Sequence, residues 1–80
     1  MKVRSYGKIA DILGHEREIE IAGSCTVAEL RALLAADCPE ADRILADGRV
    51  RACVDDAIVH DDHVLEPGDS IDLLAPVSGG

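Results

Sequence analysis

Aromatic residues are almost missing from this sequence. Tyr6 is the one aromatic among 80 residues, with no Phe and no Trp. A chain without aromatic rings has no platform on which bases could stack. Basic charge is scarce too: Lys and Arg number 8 against 16 Asp and Glu, a formal net charge of −8. Phosphate binding needs a basic face, so nucleic acid is not an expected partner. No apolar run is long enough to span a membrane. Met1-Lys2-Val3-Arg4 leads straight into an alternating segment, which is not a signal-peptide pattern. A cytoplasmic location is the expectation.

The sequence also lacks the usual marks of catalysis. Its three cysteines, Cys25, Cys38 and Cys53, are odd in number and form no Cys-x-x-Cys pair. That argues against a disulfide framework, a zinc knuckle and a thioredoxin-type site. They are expected to act as small buried hydrophobes. No phosphate-binding glycine loop is present, and neither Ser5 nor Ser24 lies in a nucleophile elbow. His15, beside Gly14, has no nucleophile nearby in sequence. His60-Asp61-Asp62-His63 is the one cluster of metal-ligand types. Four consecutive polar residues point in different directions, and no second cluster completes a shell. The stretch reads as a solvated loop, with no metal site and no cofactor site expected in this chain.

Eighty residues make one domain, with a modest core and no room for a deep substrate cavity. Charge is unevenly placed along it. Residues 1–36 hold five acids and five bases, whereas residues 37–72 hold eleven acids and three bases. An acidic half suits a protein partner with a basic surface, although plain solubility explains it equally well.

Hydrophobic periodicity supplies the elements. Residues 2–6 alternate as a first strand, broken by Gly7. Lys8 to Leu13 read as a short helical turn ended by Gly14. Residues 16–22 alternate with Glu16, Glu18 and Glu20 on one face and Arg17, Ile19 and Ile21 on the other. Thr26-Val27-Ala28-Glu29 is a capping box, with Cys25 and Leu30 placed for a hydrophobic staple. Val27, Leu30, Leu33 and Leu34 then line one helix face. That helix should stop near Asp37, because Pro39 excludes helical geometry at Cys38. A short turn over residues 40–46 packs Ile44 and Leu45 inward. Strands follow over 49–55, 57–59 and 70–75, joined by turns at Asp55-Asp56 and Glu66-Pro67-Gly68-Asp69.

Two hairpins flanking one capped helix bury their apolar faces best as one sheet with the helix across it. This is an α+β arrangement, the β-grasp or ubiquitin-like fold: a mixed sheet of about five strands with one main helix. In it the first and last strands lie side by side at the sheet centre. Residues 1–75 are expected to form this domain and residues 76–80 a flexible Gly-Gly tail.

That tail, Pro76-Val77-Ser78-Gly79-Gly80, carries the chemistry the body lacks. Pro76 removes a backbone donor and ends strand pairing. Gly79 and Gly80 have no Cβ, so the tip is thin enough to thread a channel. Five extended residues reach about 17 Å, enough to enter a neighbour's pocket. The Gly80 α-carboxylate would be the reactive group, ionised at neutral pH with a pKa of about 3.5. As an anion it is a poor electrophile and must be activated, most simply as an acyl-adenylate. A sulfur nucleophile would then give a thiocarboxylate, and an amine an amide. ATP, magnesium and the sulfur donor would sit on partners. The plain alternatives are a frayed end without function or an expression scar.

With Ile9-Ala10-Asp11-Ile12-Leu13-Gly14, Thr26-Val27-Ala28-Glu29-Leu30, Asp47-Gly48, Glu66-Pro67-Gly68-Asp69-Ser70-Ile71 and the Gly-Gly end, the sequence resembles the small subunit of molybdopterin synthase, a ubiquitin-like sulfur carrier. Where that family often has aromatics in its first and last strands and a Pro-Pro before the tail, this chain has Tyr6 and Leu73-Leu74-Ala75-Pro76. The resemblance implies that a ubiquitin-activating-like adenylyltransferase adenylates Gly80 and that a sulfur donor protein completes the thiocarboxylate. It implies that the tail then enters the large catalytic subunit, in a two-plus-two heterotetramer, and gives sulfur to cyclic pyranopterin monophosphate. Gly79, Ser78, Val77 and Pro76 would occupy the partner's channel, and Leu74 would belong to an apolar docking patch. The chain would be no enzyme on its own. A sulfur carrier for thiazole or cysteine synthesis, and a ubiquitin-like modifier joined to lysines, are the alternatives.

Overall fold

The chain opens with β1 (Lys2–Tyr6), whose residues alternate between the two faces of a sheet, Val3 and Ser5 turned inward. At Gly7 the backbone takes a positive φ of 76° and leaves the strand for a 3₁₀ turn over Gly7–Ile9. The one-turn helix α1 (Ala10–Leu13) follows and seals Ile9 and Leu13 into the core. A computed structural model describes residues 1–75 of the chain.

The second strand is shorter than its pattern predicts. β2 covers Glu16–Glu18 only and pairs antiparallel with β1, Lys2 opposite Glu18. Alternation continues beyond it, with Ile19 and Ile21 half-buried and Glu20 exposed. The ladder's last bond on this side runs from the Ile19 N–H to the Met1 carbonyl at 2.9 Å.

β3 (Cys25–Thr26) leads into the main helix, α2 (Val27–Asp37). The capping box forms as read. The Glu29 N–H donates to Thr26 Oγ1 at 3.1 Å, and the Thr26 N–H donates to Glu29 Oε1 at 2.8 Å. Val27, Leu30 and Leu34 are wholly buried, but Leu33 is 41% exposed. At about 100° per residue, Leu33 points roughly 90° away from the mean direction of the other three. The helix ends before Pro39, which starts a 3₁₀ turn (Pro39–Ala41) that runs into α3 (Asp42–Leu45). Leu45 is buried there and Ile44 packs at the core's margin.

The second hairpin joins β4 (Arg51–Val54) to β5 (Ala57–Val59) through Asp55 and Asp56. Both turn residues have positive φ, 52° and 66°, as the tightest hairpin turns require, and Asp tolerates this region better than most side chains. β6 (Val64–Leu65) pairs with β3 in a separate two-stranded ribbon, which the sequence pattern did not reveal. β7 (Ser70–Leu74) closes the fold. The main sheet runs β2-β1-β7-β4-β5, with β1 and β7 parallel and side by side at its centre. Its inner face and α2 share an aliphatic core of Val3, Val27, Leu30, Leu34, Ile71 and Leu73.

Candidate functional site

The site is built around the end of β7. This strand is held along both sides: by β1, from Lys2 opposite Ser70 to Tyr6 opposite Leu74, and by β4, with Arg51 opposite Leu74. Pairing with β1 continues one residue past the strand, since the Ala75 N–H donates to the Tyr6 carbonyl at 3.1 Å. Pro76 has no N–H to extend it. Beside Ala75 the neighbouring chain has already turned away at Gly7. A Cβ placed on Gly7 would lie 2.5 Å from the Ala75 carbonyl oxygen. The point where the sheet ends and the Gly-Gly segment begins is therefore fixed by a hydrogen bond on one side of the Ala75 peptide and by close backbone contact on the other. Pro76, Val77, Ser78, Gly79 and Gly80 lie outside the described residues.

The register of the strands orders the sheet's outer face into rows. One row further from the exit, Glu16, Arg4 and Asp72 stand in line across β2, β1 and β7, with Arg4 Nε 3.7 Å from Glu16 Oε1, and the row continues through Cys53 to the exposed Ile58 on β4 and β5. At the exit the row changes character. Tyr6 and Leu74 are cross-strand neighbours, 45% and 37% exposed, with Arg51 on the other side of Leu74. The expected exposed Leu74 is thus joined by Tyr6, the sequence's one aromatic. The hairpin acids Asp55 and Asp56, and Asp69 ahead of β7, sit at the sheet end opposite Leu74.

The other candidate clusters have structural work. The His60–His63 loop keeps its side chains exposed, but its backbone serves α2: the Val27 and Ala28 N–H groups donate to the His63 and Asp61 carbonyls, both at 3.0 Å. These satisfy helix-start amides that would otherwise lack partners. Among the described residues no three His, Cys, Asp or Glu side chains gather as a metal site would require. Arg31 on α2 donates to Asp61 Oδ1 and to the Leu45 and Val50 carbonyls, and so is fully engaged beside an open groove of about 740 Å³ between α2 and β5. The three cysteines are free thiols and half-buried rather than fully buried, since each stands at a margin of the core or on the sheet's outer row. Burial, followed by the charge of Glu29, pushes the Cys25 thiol up from its ordinary value, which suppresses the thiolate. Among the described residues no helix is long and apolar enough to cross a membrane.

Known proteins share this architecture. Two crystal structures of small archaeal modifier protein 1 (SAMP1) from Haloferax volcanii superpose with a TM-score of 0.83 each. They are 21% and 15% identical in sequence, covering 100% and 96% of this chain and 98% and 97% of theirs. They establish the ubiquitin-like fold. The molybdopterin synthase sulfur carrier subunit of Escherichia coli (strain K12) is 31% identical over 80 residues, covering 100% of this chain and 99% of that protein. Residues 3–80 match the ThiS family. A match over nearly the whole sequence, together with a full-length relative and the β-grasp sheet, places this chain in the ThiS family.

Proposed function

We propose that the chain is a sulfur carrier for molybdenum-cofactor biosynthesis, acting through the carboxylate of Gly80. The observation that carries this reading is the full-length likeness to the molybdopterin synthase sulfur carrier subunit. The exit geometry supports it: a central strand, held on both sides, delivers Ala75 to a fixed point beside an apolar docking pair. The body is the 1–75 domain and residues 76–80 are the delivered segment.

The Gly80 carboxylate attacks the α-phosphate of ATP on an adenylyltransferase partner, releasing pyrophosphate and forming the acyl-adenylate. Hydrosulfide released by a donor protein then attacks the acyl carbon, AMP leaves, and loss of the S–H proton gives the thiocarboxylate. ATP and magnesium belong to the activating partner, and this chain binds no cofactor. The loaded segment enters the large catalytic subunit in a two-plus-two heterotetramer, guided by Pro76, Val77 and Ser78 and made thin by Gly79. There the sulfur passes to cyclic pyranopterin monophosphate. Tyr6 and Leu74 dock on both partners in turn, and the dependence on ATP suits the cytoplasm.

The test is intact mass after incubation with the adenylyltransferase, ATP and a sulfur source. The protein gains the mass difference between sulfur and oxygen, localised to its C-terminal peptide. Deleting Gly80 shifts the carboxylate by about 3.4 Å and abolishes sulfur transfer, because alignment of the reacting atoms supplies much of the rate. Sulfur found on Cys25, Cys38 or Cys53 instead, or pterin sulfuration by the truncated chain, sinks the proposal.

A further inference from the structure

Gly7 lies at the end of β1, and Ala75 lies one residue past β7, yet the two backbones are in contact. Two features of Gly7 are separable. Its φ of +76° is one that L side chains rarely adopt. Its missing Cβ leaves room for the Ala75 peptide: a Cβ there would meet the carbonyl oxygen at 2.5 Å and the carbonyl carbon at 3.3 Å. Both atoms are backbone and cannot swing aside as the tip of a flexible side chain would. The Ala75 carbonyl belongs to the peptide bond that joins the body to Pro76. On the N–H side of the same residue, the bond to the Tyr6 carbonyl holds it from the preceding position of β1.

We propose that Gly7 is a positioning residue for sulfur transfer: by letting the Ala75 carbonyl lie against its backbone, it sets the direction in which the Gly-Gly segment leaves the sheet. The inference rests on the sulfur-carrier reading for its consequence, but not for its geometry. A side chain at position 7 displaces the Ala75 peptide and redirects the following residues. The docking pair Tyr6–Leu74 stays available, so partner affinity holds while the reacting carboxylate arrives misaligned. A misplacement of about 1 Å can cost a hundredfold in rate.

Gly14 provides the control. Its φ is +82°, nearly the same as that of Gly7, and a Cβ there meets nothing within 4 Å. Gly7→Val and Gly14→Val both place a β-branched residue at a positive φ, and only the first meets Ala75. Two quantities are read for each variant below its melting transition. One is hydrogen exchange at the Ala75 amide relative to the Leu73 amide. The other is kcat and KM for thiocarboxylate formation. Gly7→Val is expected to lose Ala75 protection and to lower kcat by about tenfold or more with little change in KM. Gly14→Val is expected to keep both while melting lower. Should Gly7→Val not fold, Gly7→Ala against Gly14→Ala makes the same comparison. Unchanged Ala75 protection in the Gly7 variant, or an equal loss of kcat in the Gly14 variant, overturns the inference. A parent protein that takes up no sulfur overturns the carrier reading instead, and the Ala75 amide alone then decides the role of Gly7.

Discussion

The two faces of the main sheet are made by the same strands and obey different rules. On the inner face Val3, Ile71, Leu73 and Ala52 are all at zero exposure. On the outer face the same strands present Arg4, Asp72 and Arg51, with Tyr6 and Leu74 placed at the exit. Leu73 and Leu74 are chain neighbours of identical chemistry, one wholly buried and one 37% exposed. The difference shows that β7 has two separate tasks. Its inward side chains hold the domain together, and its outward ones are free for recognition. An exposed Leu alone would need no explanation, but Leu74 beside Tyr6 at the exit, with Ile58 exposed on the same face, gives that face apolar surface among its charges.

The sharpest way to break this comparison is to exchange the two leucines' fates. Leu73→Ala opens a cavity in the core and is expected to cost about 2–5 kcal/mol, read from the denaturant midpoint. Affinity of the remaining folded protein for the large subunit stays near that of the parent. Leu74→Asp does the reverse: binding weakens by about tenfold to a hundredfold in calorimetry, as at a hot-spot position, with the melting temperature held. A Leu74 variant that binds normally, or that unfolds as readily as Leu73→Ala, would show that the outer face is only a surface.

Two smaller changes sharpen the contrast from the inner side. Thr26→Ala removes the cap of the helix that covers the inner face and is expected to cost about 1 kcal/mol, leaving docking and sulfur transfer intact at moderate temperature. An unchanged midpoint would mean that the capping box seen here adds nothing. Ser5 is the one polar side chain buried on the inner face, and its Oγ has no hydrogen-bond partner among the described residues. Ser5→Ala relieves that orphaned hydroxyl and should raise stability by a few tenths to about 1 kcal/mol. A fall in stability would mean that the hydroxyl is satisfied in solution.

Local features of this fold were legible in the sequence because their causes are local. The capping box, the Asp55-Asp56 turn, the stop before Pro39 and the alternation of β1 and β7 each depend on residues within a few positions of one another. Where causes are remote, the pattern was silent or misleading. Residues 16–22 alternate throughout, yet only Glu16–Glu18 pair as β2, since pairing depends on what β1 places opposite them. The β3–β6 ribbon is two residues long on each side, too short for any period to register. Leu33 matched a helical spacing but missed the buried arc. Gly7 read only as a strand breaker, since the residue it touches lies at the far end of the chain. Gly79 and Gly80 stood out in the sequence but lie outside the described residues, whereas the Tyr6–Leu74 pair became visible only when β1 and β7 were aligned.

That alignment has a kinetic consequence. The parallel ladder at the sheet centre joins residues 2–6 to residues 70–74. Contacts so distant in sequence require a long loop to close, which slows folding. Tyr6 and Leu74 become neighbours only through that ladder, and Ala75 acquires its hydrogen bond only there. A chain in which this ladder has not formed therefore has neither the Tyr6–Leu74 pair nor the hydrogen bond at Ala75. On the sulfur-carrier reading proposed above, the pairing that completes the sheet centre also assembles the surface a partner would meet, so docking is conditional on folding.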